Sequence, residues 1–61
     1  MKPLLTIEQV AELLGVRYRS VLDLIHLGKL RAYKIGRSYR IAEEDLRRYL
    51  GSVRLHLDGR R

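Results

Sequence analysis

The amino-acid sequence predicts one small α+β domain ordered helix, helix, β-hairpin, helix. Three observations carry the prediction. Two apolar runs at helical spacing are each closed by a glycine, Gly15 and Gly28. After Leu30 apolar residues alternate with polar ones, the period of a strand. From Glu43 helical spacing returns, with three acids at its start.

The first helix starts after Thr6, with Ile7-Glu8-Gln9-Val10-Ala11-Glu12-Leu13-Leu14. Thr6 and Gln9, three residues apart, form a capping box in which each side chain serves the other residue's amide. Leu5 and Val10 flank the cap as a hydrophobic staple. Ile7, Val10, Ala11 and Leu14 make one apolar stripe, and Gly15 stands where a left-handed cap ends a helix. Only Val16 and Arg17 separate this stop from the next run. Two helices joined by a tight glycine turn form a helix-turn-helix, although a plain helical hairpin has the same signature.

In the second helix Val21, Leu24 and Ile25 share one face at about 100° per residue. Arg19, Asp23 and His26 lie opposite, Leu22 at the border, and Tyr18 in the first turn nearer the buried edge. The outward face is mixed and hydrogen-bonding, unlike a uniform Lys/Glu face. A helix of about 11 residues with such a face fits the major groove of B-DNA.

Beyond Leu30, Tyr33, Ile35, Tyr39 and Ile41 alternate with Lys34 and Arg40. A two-residue Gly36-Arg37 turn pairs Ile35 with Ser38 and splits the apolar set between two faces. A three-residue Gly36-Arg37-Ser38 loop pairs Ile35 with Tyr39 and Tyr33 with Ile41 on one face, so burial selects this register. Glycine first is not the usual three-residue loop pattern. The selected register sets Lys34 directly opposite Arg40, a like-charge pair costing up to about 1 kcal/mol. Arg37 adds a cation at the tip. A phosphate backbone would relieve the repulsion; a basic edge that blocks strand aggregation is the competing explanation.

The third helix is expected from about Glu43 to Leu50. Glu43, Glu44 and Asp45 in its first turn and Arg47 and Arg48 in its last suit the helix dipole. Leu46, Tyr49 and Leu50 supply its buried edge, and Gly51 stops it. Residues 1–51 thus form the domain. Residues 52–61, SVRLHLDGRR, form a tail expected as a short strand, a docked segment or a disordered end.

The totals set limits on function. With 61 residues the chain buries only about 60% of the surface it exposes when unfolded. Its 46% of apolar residues suits a folded domain. Thirteen Lys and Arg against seven Asp and Glu give a net charge of +6, which favours a polyanionic partner, nucleic acid before an anionic membrane. No apolar run approaches the ~20 residues that span a bilayer. Two histidines, His26 and His56, without cysteine make no credible metal site. Glu43, Glu44 and Asp45 are consecutive and fan around their helix, so no catalytic carboxylate pair is expected. Neither an enzyme, a cofactor nor a small-molecule substrate is indicated.

The stretches LLTIEQVAELLGV, SVLDLIHLGKLRAYKIGRSYRI and EEDLRRYL together resemble the excisionase-type helix-turn-helix family, related to the DNA-binding domains of MerR-like regulators. The likeness covers residues 4–50. Its most specific part is Leu27-Gly28-Lys29-Leu30 followed by the hairpin from Ile35 to Ile41. The resemblance implies a winged helix-turn-helix fold that binds double-stranded DNA, the second helix recognising the major groove and the hairpin acting as a wing. It implies a recombination directionality factor or small transcription regulator in a bacterial or phage setting, cytoplasmic and nucleoid-associated. Some members assemble side by side along DNA. By position, Arg17, Tyr18, Arg19, Ser20, Leu22, Asp23 and His26 become groove-side residues, and Lys34, Arg37, Ser38 and Arg40 the wing.

The departures from the family pattern are specific. Arg17 stands where Ser or Thr usually caps the second helix, and a lost cap costs about 1 kcal/mol. Asp23 stands where a basic residue is common; it accepts from cytosine N4 or is held by Arg19 one turn back. Ala42 replaces the usual Ser or Pro before the third helix. Arg19 is the first candidate for reading guanine, with a phosphate contact or a pair with Asp23 as competing roles. His26 is expected to be solvated and Tyr39 to be a core ring with its hydroxyl outward. Leu22 either meets a thymine methyl or extends the core. The alternative function is a protein-interaction module whose basic face and C-terminal strand bind an acidic partner.

Overall fold

The computed structural model describes residues 2–54. It contains α1 (Ile7–Leu14), α2 (Tyr18–His26), β1 (Tyr33–Ile35), β2 (Ser38–Arg40) and α3 (Glu43–Ser52), the α+β order the sequence predicts. Residues 55–61, which hold most of the expected tail, lie outside the described residues.

The two ends of α1 form as its sequence dictates. Thr6 Oγ1 accepts from the Gln9 amide at 3.1 Å, and Gln9 Oε1 accepts from the Thr6 amide at 2.9 Å. Gly15 takes the left-handed conformation, φ 70°, which brings the Val16 amide onto the Ala11 carbonyl at 3.0 Å. The chain then re-enters helix at Tyr18 after only two more residues. Arg17 caps α2 in extended backbone without a side-chain bond, and α2 runs nine residues instead of about 11. Gly28, φ 76°, turns the chain so that the Lys29 and Leu30 amides both reach the Leu24 carbonyl, at 2.9 and 3.1 Å.

The core takes residues from every layer: Ile7, Val10 and Ala11 of α1, Val21 of α2, Leu30 of the following loop, Ile41 after β2, and Leu46 of α3. Leu24 and Ile25 are half-buried against it on the predicted inner face of α2. Ile41 also closes a backbone bridge with Leu5, at 2.8 and 2.7 Å. That bridge ties the segment before α1 to the end of the hairpin.

The hairpin register differs from the expected one. Tyr33 pairs with Arg40, Lys34 with Tyr39 and Ile35 with Ser38, around a two-residue Gly36-Arg37 turn. Gly36 has φ 63°, and no non-glycine residue among those described has positive φ. A left-handed glycine at the first central position alone is the signature of a type II′ turn, whose twist matches the strands. Turn chemistry therefore prevails over the one-face apolar pattern. Ile41 does not need Tyr33 as a partner because Leu5 supplies one. The four apolar residues are consequently split. Tyr39 and Ile41 face inward, while Tyr33 and Ile35 stand outward, 54% and 57% exposed. Lys34 and Arg40 are not opposed, so the like-charge argument for a phosphate on the wing falls.

α3 also departs from expectation. It continues through Gly51 to Ser52, where the Ser52 hydroxyl donates to the Tyr49 carbonyl at 2.7 Å. Glycine disfavours a helix interior by only about 1 kcal/mol, a small effect beside packing. Arg47 and Arg48 therefore lie inside the helix and not in its last turn. Leu50, expected on the buried edge, is 43% exposed; Leu46 is buried and Tyr49 half-buried.

Candidate nucleic-acid interface

Six of the eleven sequence-predicted site residues line one open groove. Tyr18, Leu22 and His26 come from α2, each one turn apart, and Arg37, Ser38 and Arg40 come from the hairpin. Thr6, Ile7 and Glu8 at the start of α1 close the third side. The spacing explains the α2 wall: residues four apart stack along one flank of a helix. Leu22 is half-buried and packs on the core while its edge faces the groove.

The other five predicted residues lie beside the groove and not in it. Arg17 is exposed at the cap of α2, and Ser20 is exposed with its amide bonded back to the Arg17 carbonyl. Arg19 and Asp23 form the next stripe and pair with each other, Nε to Oδ1 at 3.3 Å. Both are exposed, and an ion pair of this kind is worth only about 0.2–1 kcal/mol, so it is easily exchanged for another partner. Lys34 sits on the inner face of the hairpin with its ammonium 5.6 Å from the centre of the Tyr39 ring.

Strand pairing explains the position of Arg40. With Ile35 and Ser38 as the hydrogen-bonded pair next to the turn, alternate residues of β2 direct their backbone groups away from β1. Ile41 spends its outward groups on Leu5. Tyr39 directs its carbonyl outward too, and the Arg40 guanidinium donates to it at 2.8 Å. This contact holds Arg40 against the backbone and leaves its other donors facing the groove.

Four groove residues, Thr6, Ile7, Glu8 and Tyr39, are not among the sequence-predicted site residues. Tyr39 packs half-buried against the core with its hydroxyl outward, as expected, and it also lines the groove, the hydroxyl 3.4 Å from His26 Nε2. The rings meet edge to face, centroids 6.1 Å apart. Glu8, an acid in the mouth of a basic groove, had no signal in its helical spacing.

The cations divide by location. Lys2, Arg47 and Arg48 pair with Glu43, Glu43 and Asp45, at 3.4, 3.0 and 3.6 Å. Among the described residues, Arg17, Lys29, Arg31, Lys34, Arg37, Arg40 and Arg54 form no ion pair. Six of these seven lie on the inter-helix turn, the loop after α2 and the hairpin, and Arg54 follows α3. No group of three or more His, Cys, Asp and Glu placed to hold a metal occurs among the described residues. No helix of the described residues is long and apolar enough to cross a membrane.

A family model described as a helix-turn-helix domain matches residues 4–54. The chain belongs to the helix-turn-helix domain family. This is a DNA-binding class, and α1, the Gly15 turn and α2 are its two helices and connection. The helix-turn-helix chain is also similar to the uncharacterized protein YvgK of Bacillus subtilis (strain 168), 50% identical over 50 residues. The match covers 82% of this chain and 16% of that protein's length. No solved structure matches the chain.

Proposed function

We propose that the chain binds duplex DNA by laying α2 in the major groove while the hairpin, as a wing, contacts the flanking backbone. The observation that carries the reading is the shared groove. Side chains from α2 and from the hairpin converge on one surface, bordered by the unpaired cations. A helix presenting mixed hydrogen-bonding groups reads base edges, and flexible cations around it meet phosphates, which position without specifying. Arg19 is the base reader in this proposal. Its pair with Asp23 is weak enough to open, and a bidentate contact to guanine is stronger than an exposed ion pair. Arg17, Arg37 and Arg40 are phosphate contacts.

The biological role we propose is excisionase-like assistance to recombination or small-scale transcription regulation, in either case with copies seated side by side on DNA. Footprinting on the DNA upstream of its own gene tests this role: phased protection over several helical turns supports side-by-side seating, and a single short footprint removes it.

The binding mode is tested on a duplex selected from a random library against the chain. If four phosphates are neutralised, log affinity falls against log salt with a slope near −3.6, about 0.9 for each phosphate. Arg37→Ala should flatten that slope by about one unit and weaken all sequences alike. Arg19→Ala should instead shrink the difference between selected and scrambled duplexes. Equal loss on both duplexes would remove Arg19 as the base reader, and failure to enrich any duplex would end the DNA-binding proposal.

A further inference from the structure

Tyr39 meets three side chains, His26, Lys34 and Arg40, each from a different element. Its hydroxyl lies 3.4 Å from Nε2 of His26 on α2. Its ring carries the Lys34 ammonium from β1 at 5.6 Å, and its backbone carbonyl holds the Arg40 guanidinium of β2 at 2.8 Å. These contacts have one geometric origin. In a non-hydrogen-bonded antiparallel pair the two side chains stand closest, which sets Lys34 over the ring, while the backbone groups point outward, which offers the carbonyl to Arg40. The ring is half-buried beside the core, and Arg40 is half-buried with it. His26 and Lys34, by contrast, are exposed, so the ring is anchored more firmly than these two.

We infer that Tyr39 is the positioning residue of the interface, registering the recognition helix and the wing on one another before DNA arrives. The inference rests on the proposed DNA binding and deepens it. A duplex presents groove and backbone at a fixed spacing, so a wing that swings freely against α2 loses conformational freedom on binding. Ordering a flexible side chain at an interface costs about 0.5–1.5 kcal/mol. One partly buried ring that seats an imidazole, an ammonium and a guanidinium removes part of that loss in advance. Tyr39 need not touch DNA to act in this way.

The hydroxyl and the ring are separable. Tyr39→Phe keeps the ring, the Lys34 seat and the carbonyl, and removes only the tie to His26. Tyr39→Leu keeps the carbonyl and apolar bulk but removes the ring. The experiment measures affinity and its salt dependence for the selected duplex, and the melting temperature of each free variant. Wild-type binding comes first; its absence would dispose of the DNA reading itself. Given binding, Tyr39→Phe is expected to lose about threefold in affinity, the low end for one hydrogen bond, with its melting temperature held. In a His26→Ala background the same change should lose nothing further, because the partner is already gone. Tyr39→Leu should lose about tenfold and flatten the salt slope as Lys34 is unseated. The ring-nitrogen shifts of His26 in free protein offer a second readout: they should differ between wild type and Tyr39→Phe. The inference is overturned if Tyr39→Phe binds as wild type does, if its loss is the same with and without His26, or if affinity falls only in step with melting temperature.

Discussion

The half of the molecule built from α1 and α3 and the half built from α2 and the hairpin use charge differently. In the first, Lys2, Arg47 and Arg48 are each held by an acid of α3, and further acids, Glu12 and Glu44, stand exposed. In the second, six arginines and lysines from Arg17 to Arg40 stand without an acid, and Arg19 has one only through a loose exposed pair. The helix ends differ in the same way. α1 is capped by side chains at its start and by glycine at its end, whereas α2 begins at an arginine that makes no cap bond. The contrast teaches where the chain pairs its charges and caps its helices and where it leaves cations unpaired and a helix uncapped. The net charge of +6 understates this, because the excess is not spread evenly.

The largest test breaks both halves at once. Ile41 is fully buried and bridges Leu5, so it joins the hairpin to α1. Ile41→Ala should lose about 2–5 kcal/mol and abolish a cooperative thermal transition followed by circular dichroism. A retained transition would show that the halves do not depend on this joint. The next test isolates the charge contrast. Replacing Lys34, Arg37 and Arg40 together by Ala should flatten the salt slope of DNA binding by about 2.7 units, at about 0.9 for each cation. Replacing Arg47 and Arg48 should leave the slope alone, and similar slopes for the two variants would erase the contrast.

Smaller effects sharpen it. Thr6→Ala should cost about 1 kcal/mol in a denaturant titration, the value of a helix cap. Arg17→Ser should move the other way, stabilising the fold by a similar amount while weakening binding to DNA. Should Arg17→Ser leave affinity intact, its arginine is not retained for phosphate. The smallest effect is expected from Asp23→Asn. Releasing Arg19 from a pair worth about 0.2–1 kcal/mol should raise affinity for the selected duplex by up to about fivefold, more than for a scrambled one. Unchanged affinity would mean that Arg19 does not leave its pair to bind.

Much of this arrangement is legible in the sequence, and the reasons for the rest are physical. The capping box of Thr6 and Gln9 and the stop at Gly15 depend on neighbours within four residues, so spacing reveals them. The inner face of α2 follows from helical period alone. The hairpin register does not. Two local rules conflict there, glycine-first turn geometry and the one-face apolar pattern, and the partner that resolves the conflict, Leu5, lies 36 residues before Ile41. The misread register hid Tyr39 from the site, since its contacts with Lys34 and Arg40 exist only in the observed pairing. The stop at Gly51 was misread for a related reason: a weak local penalty is outweighed by the Ser52 hydroxyl and the packing of Leu46 and Tyr49.

By itself the sequence determined the order of elements, the ends of α1, the buried stripe of α2 and the excess of positive charge, because each depends on residue type and short-range spacing. Tertiary structure alone decided the strand register, the gathering of α2 and hairpin side chains into one groove and which cations remain unpaired. Those outcomes depend on contacts between residues far apart in the chain, whose distances no local rule sets.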